Sequence, residues 1–271
     1  MNHFNSSRMA CAAHRVKAAF RSPVPAMLAR FIPLFMAALL LSGGVFVRPA
    51  LADQNSQLLS LVNQMESSYA QVKDYTATFL KKERYADKQL PEERMQFKFQ
   101  KPFKVYLKWV DGQKKEAIYV NGENSNKVVA HCEGVLGFKN WTFYPTDATL
   151  MKNNRHPITD IGFGFIIDIM RKNIPAAITS SEIEIVRLAD EDFNGRPATV
   201  IDAKFSPRDG RKYYTAHVIC HVDKEYMLPV AVACYDENEV LQEQYSYQDV
   251  KLNAGLSEMD FSKQNCEYRF N

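Results

Sequence analysis

The run Ile161-Gly162-Phe163-Gly164-Phe165-Ile166-Ile167-Asp168-Ile169-Met170 constrains this chain more than any other stretch. Wound as a helix at 100° per residue, its large apolar side chains cover about two-thirds of the circumference, and Gly164, Asp168 and Arg171 fill the gap. A helix so apolar must be nearly surrounded by protein. Each such side chain left in water would forgo roughly 1.5–3 kcal/mol, against a whole-domain stability of about 5–15 kcal/mol. The run is too short for a bilayer, which needs about 20 residues. Its flanks read as a polar turn from Asn154, with Thr159 or Asp160 as the cap. Arg171 and Lys172 suit the negative end, and Pro175 lies just beyond the expected stop. The chain must therefore supply a concave apolar surface to receive this helix.

The strands supply it. Met95, Phe97 and Phe99 alternate with Gln96, Lys98 and Gln100, and Phe103, Val105, Leu107 and Trp109 alternate with Lys104, Tyr106 and Lys108. That is period two, with one apolar and one wet face. Further strands are expected at 75–84, 115–120, 126–131, 139–144, 182–188, 197–205, 212–222, 228–235 and 240–250. Asp111-Gly112, Asn121-Gly122 and Asn194-Gly195 mark turns between them. Residues 53–73 carry Leu58, Leu59, Val62, Met65, Tyr69 and Val72 at helical spacing, and the tail 251–271 reads as irregular. The expected fold is mainly β with some α: one strongly curved antiparallel sheet of about eleven strands, its helices covering the concave apolar face and its outer face wet.

Residues 1–52 read as an export leader. Arg8, Arg15, Lys17, Arg21 and Arg30 precede an apolar run from Phe31, and Ala50-Leu51-Ala52 forms a small-x-small site, so cleavage is expected after Ala52. An uncleaved anchor is the rival reading. The net charge of +3 changes with the leader gone: 28 Lys+Arg remain against 31 Asp+Glu, a net of −3. Nucleic acid is then not the implied partner. One domain over 53–271 in the periplasm is the expectation. Cys132, Cys220, Cys234 and Cys266 remain in an oxidising compartment, where three pairings or four free thiols are open. A register offset of two would forbid a Cys220–Cys234 bridge.

Searches for chemistry return little. His217 and His221 would stand about 13 Å apart on a strand, with Cys220 on the opposite face, so they cannot share an ion. No Ser or Cys sits in a recognisable nucleophile setting. Gly162-Phe163-Gly164 lacks the third glycine of a dinucleotide fingerprint and reads better as close helix packing. Lys81-Lys82-Glu83-Arg84 reads as an exposed strand end, and Asn140-Trp141-Thr142 fits a glycosylation sequon. The chain is expected to be a non-enzyme with no metal and no cofactor.

Lys101-Pro102-Phe103-Lys104-Val105-Tyr106-Leu107-Lys108-Trp109, with Leu228-Pro229-Val230 and Val250-Lys251-Leu252-Asn253 downstream, resembles the periplasmic lipoprotein carriers LolA and LolB. Tyr119-Val120-Asn121-Gly122 and Asn154-Arg155-His156-Pro157-Ile158-Thr159-Asp160-Ile161-Gly162 are similar to a domain-of-unknown-function family of exported bacterial proteins grouped with lipoprotein-sorting proteins. The resemblance implies an antiparallel half-barrel with helices lidding an apolar cavity, a monomeric carrier for a lipid, lipoprotein acyl chain or other amphiphile, with an inner- or outer-membrane protein as partner. The alternative is a non-catalytic periplasmic sensor or interaction module on the same fold. The expected cavity wall and lid are Phe97, Phe99, Phe103, Val105, Leu107, Trp109, Ile161, Phe165, Ile166 and Ile169. In the carriers a strand arginine holds the lid closed. Here Arg155, with His156, is the latch candidate by position, against a role in capping a turn.

Overall fold

The computed structural model describes residues 51–112, 115–132 and 139–270, with the side chains of Leu51 and Ala52 left out. The leader expected over residues 1–52 thus lies outside the described residues, apart from the backbone at 51–52. Helix α1 (Leu51–Gln71) opens the fold. A meander follows: β1 (Asp74–Tyr85), β2 (Lys88–Gln89), β3 (Glu93–Gln100), β4 (Lys104–Trp109), β5 (Lys115–Val120), β6 (Val128–Cys132) and β7 (Trp141–Phe143). The short α2 (Ala148–Met151) and the long α3 (Phe163–Thr179) come next. A second meander closes it: β8 (Ile183–Phe193), β9 (Arg196–Phe205), β10 (His217–Asp223), β11 (Leu228–Tyr235) and β12 (Leu241–Leu252).

All strands join one open antiparallel sheet in the order β7-β6-β5-β4-β3-β1-β12-β11-β10-β9-β8, with the two-residue β2 pairing β1. The two meanders meet at β1–β12, in the middle. This order explains the apolar helix. The chain leaves the first meander at one edge, β7, and enters the second at the other, β8. The connection crosses the concave side, where α3 lies with α1 against the sheet. One core runs through both, from Leu58, Val62 and Met65 of α1 and Phe163, Ile166, Ile167, Met170 and Ile174 of α3 to Tyr75, Phe97, Phe99 and Val105 of the strands. This is a curved half-barrel with helices on its concave face.

Four local expectations change. First, α3 runs through Pro175 to Thr179. Proline removes a single backbone bond and crowds the preceding turn, but Ile174 and Ala177 stay buried on either side of it, and Arg171, whose carbonyl loses that bond, is exposed. Second, β10 begins at His217, and residues 206–216 form a loop. Third, the outer face is not wet throughout. The irregular tail folds back over it, and Phe261, Tyr268 and Phe270 bury Tyr106, Ile118 and Val120. Tyr268 stacks on Tyr106 at 4.0 Å between ring centres. Asn140, read as a sequon, donates to the Phe270 carbonyl at 2.6 Å within this cover.

The fourth concerns the cysteines. Cys220, Cys234 and Cys266 are free thiols, and Cys132 is exposed. Cys220 stands opposite Val232 and Cys234 opposite Val218, the offset of two that separates them along the ladder.

Candidate functional site

The site begins where α3 begins. The first N–H groups of a helix have no intrahelical acceptor and need one from elsewhere. Neither Thr159 nor Asp160 provides it. Gly162 donates its N–H to the Tyr247 hydroxyl at 2.9 Å, and Phe163 donates to the Tyr75 hydroxyl at 3.1 Å. Both tyrosines rise from the central strands β1 and β12, and burial pushes both phenols above their ordinary range. The Phe163 ring packs between them, 4.5 Å from Tyr75 and 4.9 Å from Tyr247. This closeness accounts for both glycines. Gly162 has φ +90°, and a Cβ there would meet the Tyr75 hydroxyl at 2.5 Å. A Cβ on Gly164 would lie 2.7–2.9 Å from the Tyr69 ring of α1. Close packing, not phosphate binding, is what the Gly-Phe-Gly triplet serves.

Beside this anchor lies an apolar cavity of about 120 Å³. Phe79, Met95, Leu107, Trp109, Val128, Tyr245 and Tyr247 form its floor on the sheet. Leu150, Pro157, Ile158, Ile161, Phe165 and Ile166 form its roof, from α2 through the first turn of α3. Of the residues expected at the cavity, Leu107, Trp109, Ile161, Phe165 and Ile166 line it. Phe97, Phe99 and Val105 are buried in the core instead, Phe97 and Phe99 against Tyr75 at 5.5 and 5.1 Å. Phe103 packs edge-on against Phe99 at 5.4 Å, and Ile169 sits farther along α3, outside the lining. Sequence reading missed Phe79, Tyr245 and Tyr247, although Tyr245-Ser246-Tyr247 carries the same period-two signal.

The roof is tied down at its polar end. Glu83 of β1 and Glu243 of β12 stand directly opposite each other in the ladder, and their side chains are only 3% and 2% exposed. Arg155 reaches Glu243 through Nε at 3.1 Å and donates its backbone N–H to Glu83 at 3.0 Å. The His156 Nε2 lies 2.8 Å from Glu243. Tyr214, from the 206–216 loop, donates its hydroxyl to the other Glu243 oxygen at 2.5 Å, and Tyr245 donates to Glu83 at 2.6 Å. Lys81 bonds Asn154 and pairs with Glu93 at 2.7 Å. Burial alone would raise the Glu243 pKa, but the hydrogen bond and charge of His156, the Tyr214 hydroxyl and Arg155 hold it below the usual carboxylate range. Lys81 and Glu83 are therefore not an exposed strand end. The Asn154-Arg155-His156 segment covers them, which no local pattern around residue 81 reveals.

At Lys81, Glu83, Trp109 and Asn154 the cavity meets a polar groove of about 450 Å³. Glu92, Glu93, Arg94, Asp111, Lys115 and Lys152 add balanced charge to its walls. The two metal-like histidines bond carboxylates elsewhere, His217 beside Asp202 and Glu239 at 2.8 and 2.6 Å, and His221 beside Glu191 at 2.8 Å.

The model of the family described as "Protein of unknown function (DUF1571)" matches residues 72–270. The chain belongs to this family. The DUF1571 match takes in the sheet, Glu83 and Glu243, and the Asn154–Gly162 roof segment. No curated protein matches the sequence. Among solved structures, the DUF1571 chain is similar to the Pseudomonas aeruginosa MucA/MucB complex, at 18% identity and a TM-score of 0.44, over 76% of this chain and 60% of that one. It thus spans about three-fifths of the length of that structure. It is also similar to the Mycobacterium tuberculosis lipoprotein LppX, at 12% identity and TM-score 0.43, over 74% and 98% of the two chains. A putative outer membrane lipoprotein-sorting protein domain from Vibrio parahaemolyticus matches at 14% identity and TM-score 0.34, over 76% and 97%. No helix among the described residues is long and apolar enough to cross a membrane.

Proposed function

We propose that this chain is a periplasmic, non-catalytic binding protein for an amphiphile, whose acyl tail enters the apolar cavity and whose head rests in the adjoining polar groove. The observation that carries this reading is the junction of the two at Trp109 and Asn154, an apolar chamber opening into a charged one. The chamber as it stands is too small for a tail. At about 120 Å³ it falls below the roughly 300–1,000 Å³ of ordinary ligand pockets. A tail must therefore displace the roof from Leu150 to Ile166, which makes that segment a lid. The energies permit it. Burying ten CH₂ groups at ~0.8 kcal/mol each is worth ~8 kcal/mol, while breaking a buried ion pair costs about 3–5 kcal/mol.

The test is binding of a fluorescent fatty acid to delipidated protein, together with mass spectrometry of an organic extract from protein as purified. Saturable binding that Phe165→Glu removes from a folded protein is the expected result. Absence of both a co-purified amphiphile and saturable uptake of the probe would overturn the reading.

A further inference from the structure

The polar ties of the roof converge on one acid. Glu243 faces Glu83 across the β1–β12 ladder, and like charges directly opposed on a sheet repel. Both are buried, and what offsets Glu243 comes from outside the two strands: Arg155 and His156 from the roof, and the Tyr214 hydroxyl from the 206–216 loop. That loop is itself fastened to α3, since Tyr214 donates its N–H to Asn173 at 3.1 Å. Arg155 keeps about a third of its side chain in water whereas Glu243 keeps almost none. Arg155 can leave for solvent readily, but the carboxylate it leaves behind cannot stay charged in place.

We propose that protonation of Glu243 releases this latch, so that acidification lifts the roof of the cavity while the sheet stays folded. The proposal rests on the lid reading above and adds its regulation. The titratable and charged groups around Glu243 are Lys81 and Glu83 on β1, Glu93 beyond Lys81 on β3, Cys234 on β11, Tyr245 on β12, Arg155 and His156 in the roof, and Tyr214 in the loop. Its cationic neighbours stabilise the carboxylate in the closed state. With the roof lifted, those neighbours are gone and Glu243 binds its proton more tightly. The closing contribution is thus complete above the ordinary glutamate pKa of about 4.3 and fades as pH falls through the lower value of the closed state.

Hydrogen exchange on the full chain without ligand tests this, at pH 7 and pH 3.5 with intrinsic rates corrected. Amides of residues 150–162 are expected to exchange several-fold faster at the lower pH, while those of β3 and β4 keep their protection. Glu243→Gln is expected to show fast roof exchange at both pH values. An unchanged roof at pH 3.5, or roof and strands opening together, overturns the proposal. So does a folded Glu243→Gln protein that keeps the wild-type pH response. If that variant does not fold, the wild-type comparison decides alone. No amphiphile enters the experiment, so failure of the latch is separable from failure of the binding reading.

Discussion

The hydroxyl of Tyr75 accepts the N–H of Phe163 at 3.1 Å, so a side chain from the central strand caps the helix packed over it. The bond is buried and spans 88 residues of sequence. It anchors the first turn of α3, where the cavity roof runs on into the core packed by Phe163, Ile167 and Met170. Tyr75→Phe leaves the Phe163 N–H without an acceptor in an apolar site, a loss of about 1–3 kcal/mol. Urea unfolding is expected to show a lower midpoint with an unchanged slope.

Gly164→Ala adds a methyl where the Tyr69 ring already stands within 2.9 Å. Helix propensity favours alanine by about 1 kcal/mol, yet overpacking costs about 1–3 kcal/mol. Net destabilisation is therefore expected, despite the better helix former. Tyr69→Leu in the same chain is expected to recover part of the loss, as a double-mutant cycle on unfolding free energies will show.

The tail acts as a cover for the outer face. Tyr268 stacks on Tyr106, and Lys98 lies 5.3 Å from the Tyr268 ring centre while pairing with Asp260. Tyr268→Ala is expected to destabilise the fold by about 3 kcal/mol, in line with loss of a buried aromatic ring. It also exposes Tyr106 and Ile118, so binding of a hydrophobic dye at neutral pH is expected to rise above wild type.

Burial divides the four cysteines after residue 52 into two classes. Cys132 and Cys266 are exposed, while Cys220 and Cys234 are buried in the strands. Burial pushes the Cys220 thiol up to about 12 and raises Cys234 as well. The thiolate is the reactive species. Brief alkylation of native protein at pH 8 is expected to add label at Cys132 and Cys266 only, with Cys220 and Cys234 modified after denaturation, as read by peptide mass spectrometry.

Much of the architecture could be read locally. Alternation through Met95–Trp109 assigned an apolar face to β3 and β4, and the Asn194-Gly195 turn, both residues at positive φ, joins β8 to β9 as its dipeptide implies. Periodicity is written in adjacent residues and survives without a tertiary context. Pro175 misled for the complementary reason: its local cost is real, and packing of Ile174 and Ala177 outweighs it. The 212–216 segment has strand-like composition, yet Tyr214 stands outside β10, its N–H donated to Asn173 and its hydroxyl to the buried Glu243 carboxylate.

By itself the sequence determined that a helix too apolar for a surface must find a concave apolar sheet, because the hydrophobic cost of exposure is proportional to area and needs no geometry to evaluate. It offered Arg155 and His156 only as latch candidates by position, with the capping of a turn as the alternative. Only the tertiary structure decided what they hold. Glu83 and Glu243 are 160 positions apart in the chain and become neighbours through the pairing of β1 with β12. Their burial makes two ordinary glutamates the anchor points for Arg155 and His156, and burial is a property of the assembled sheet and roof, not of any segment.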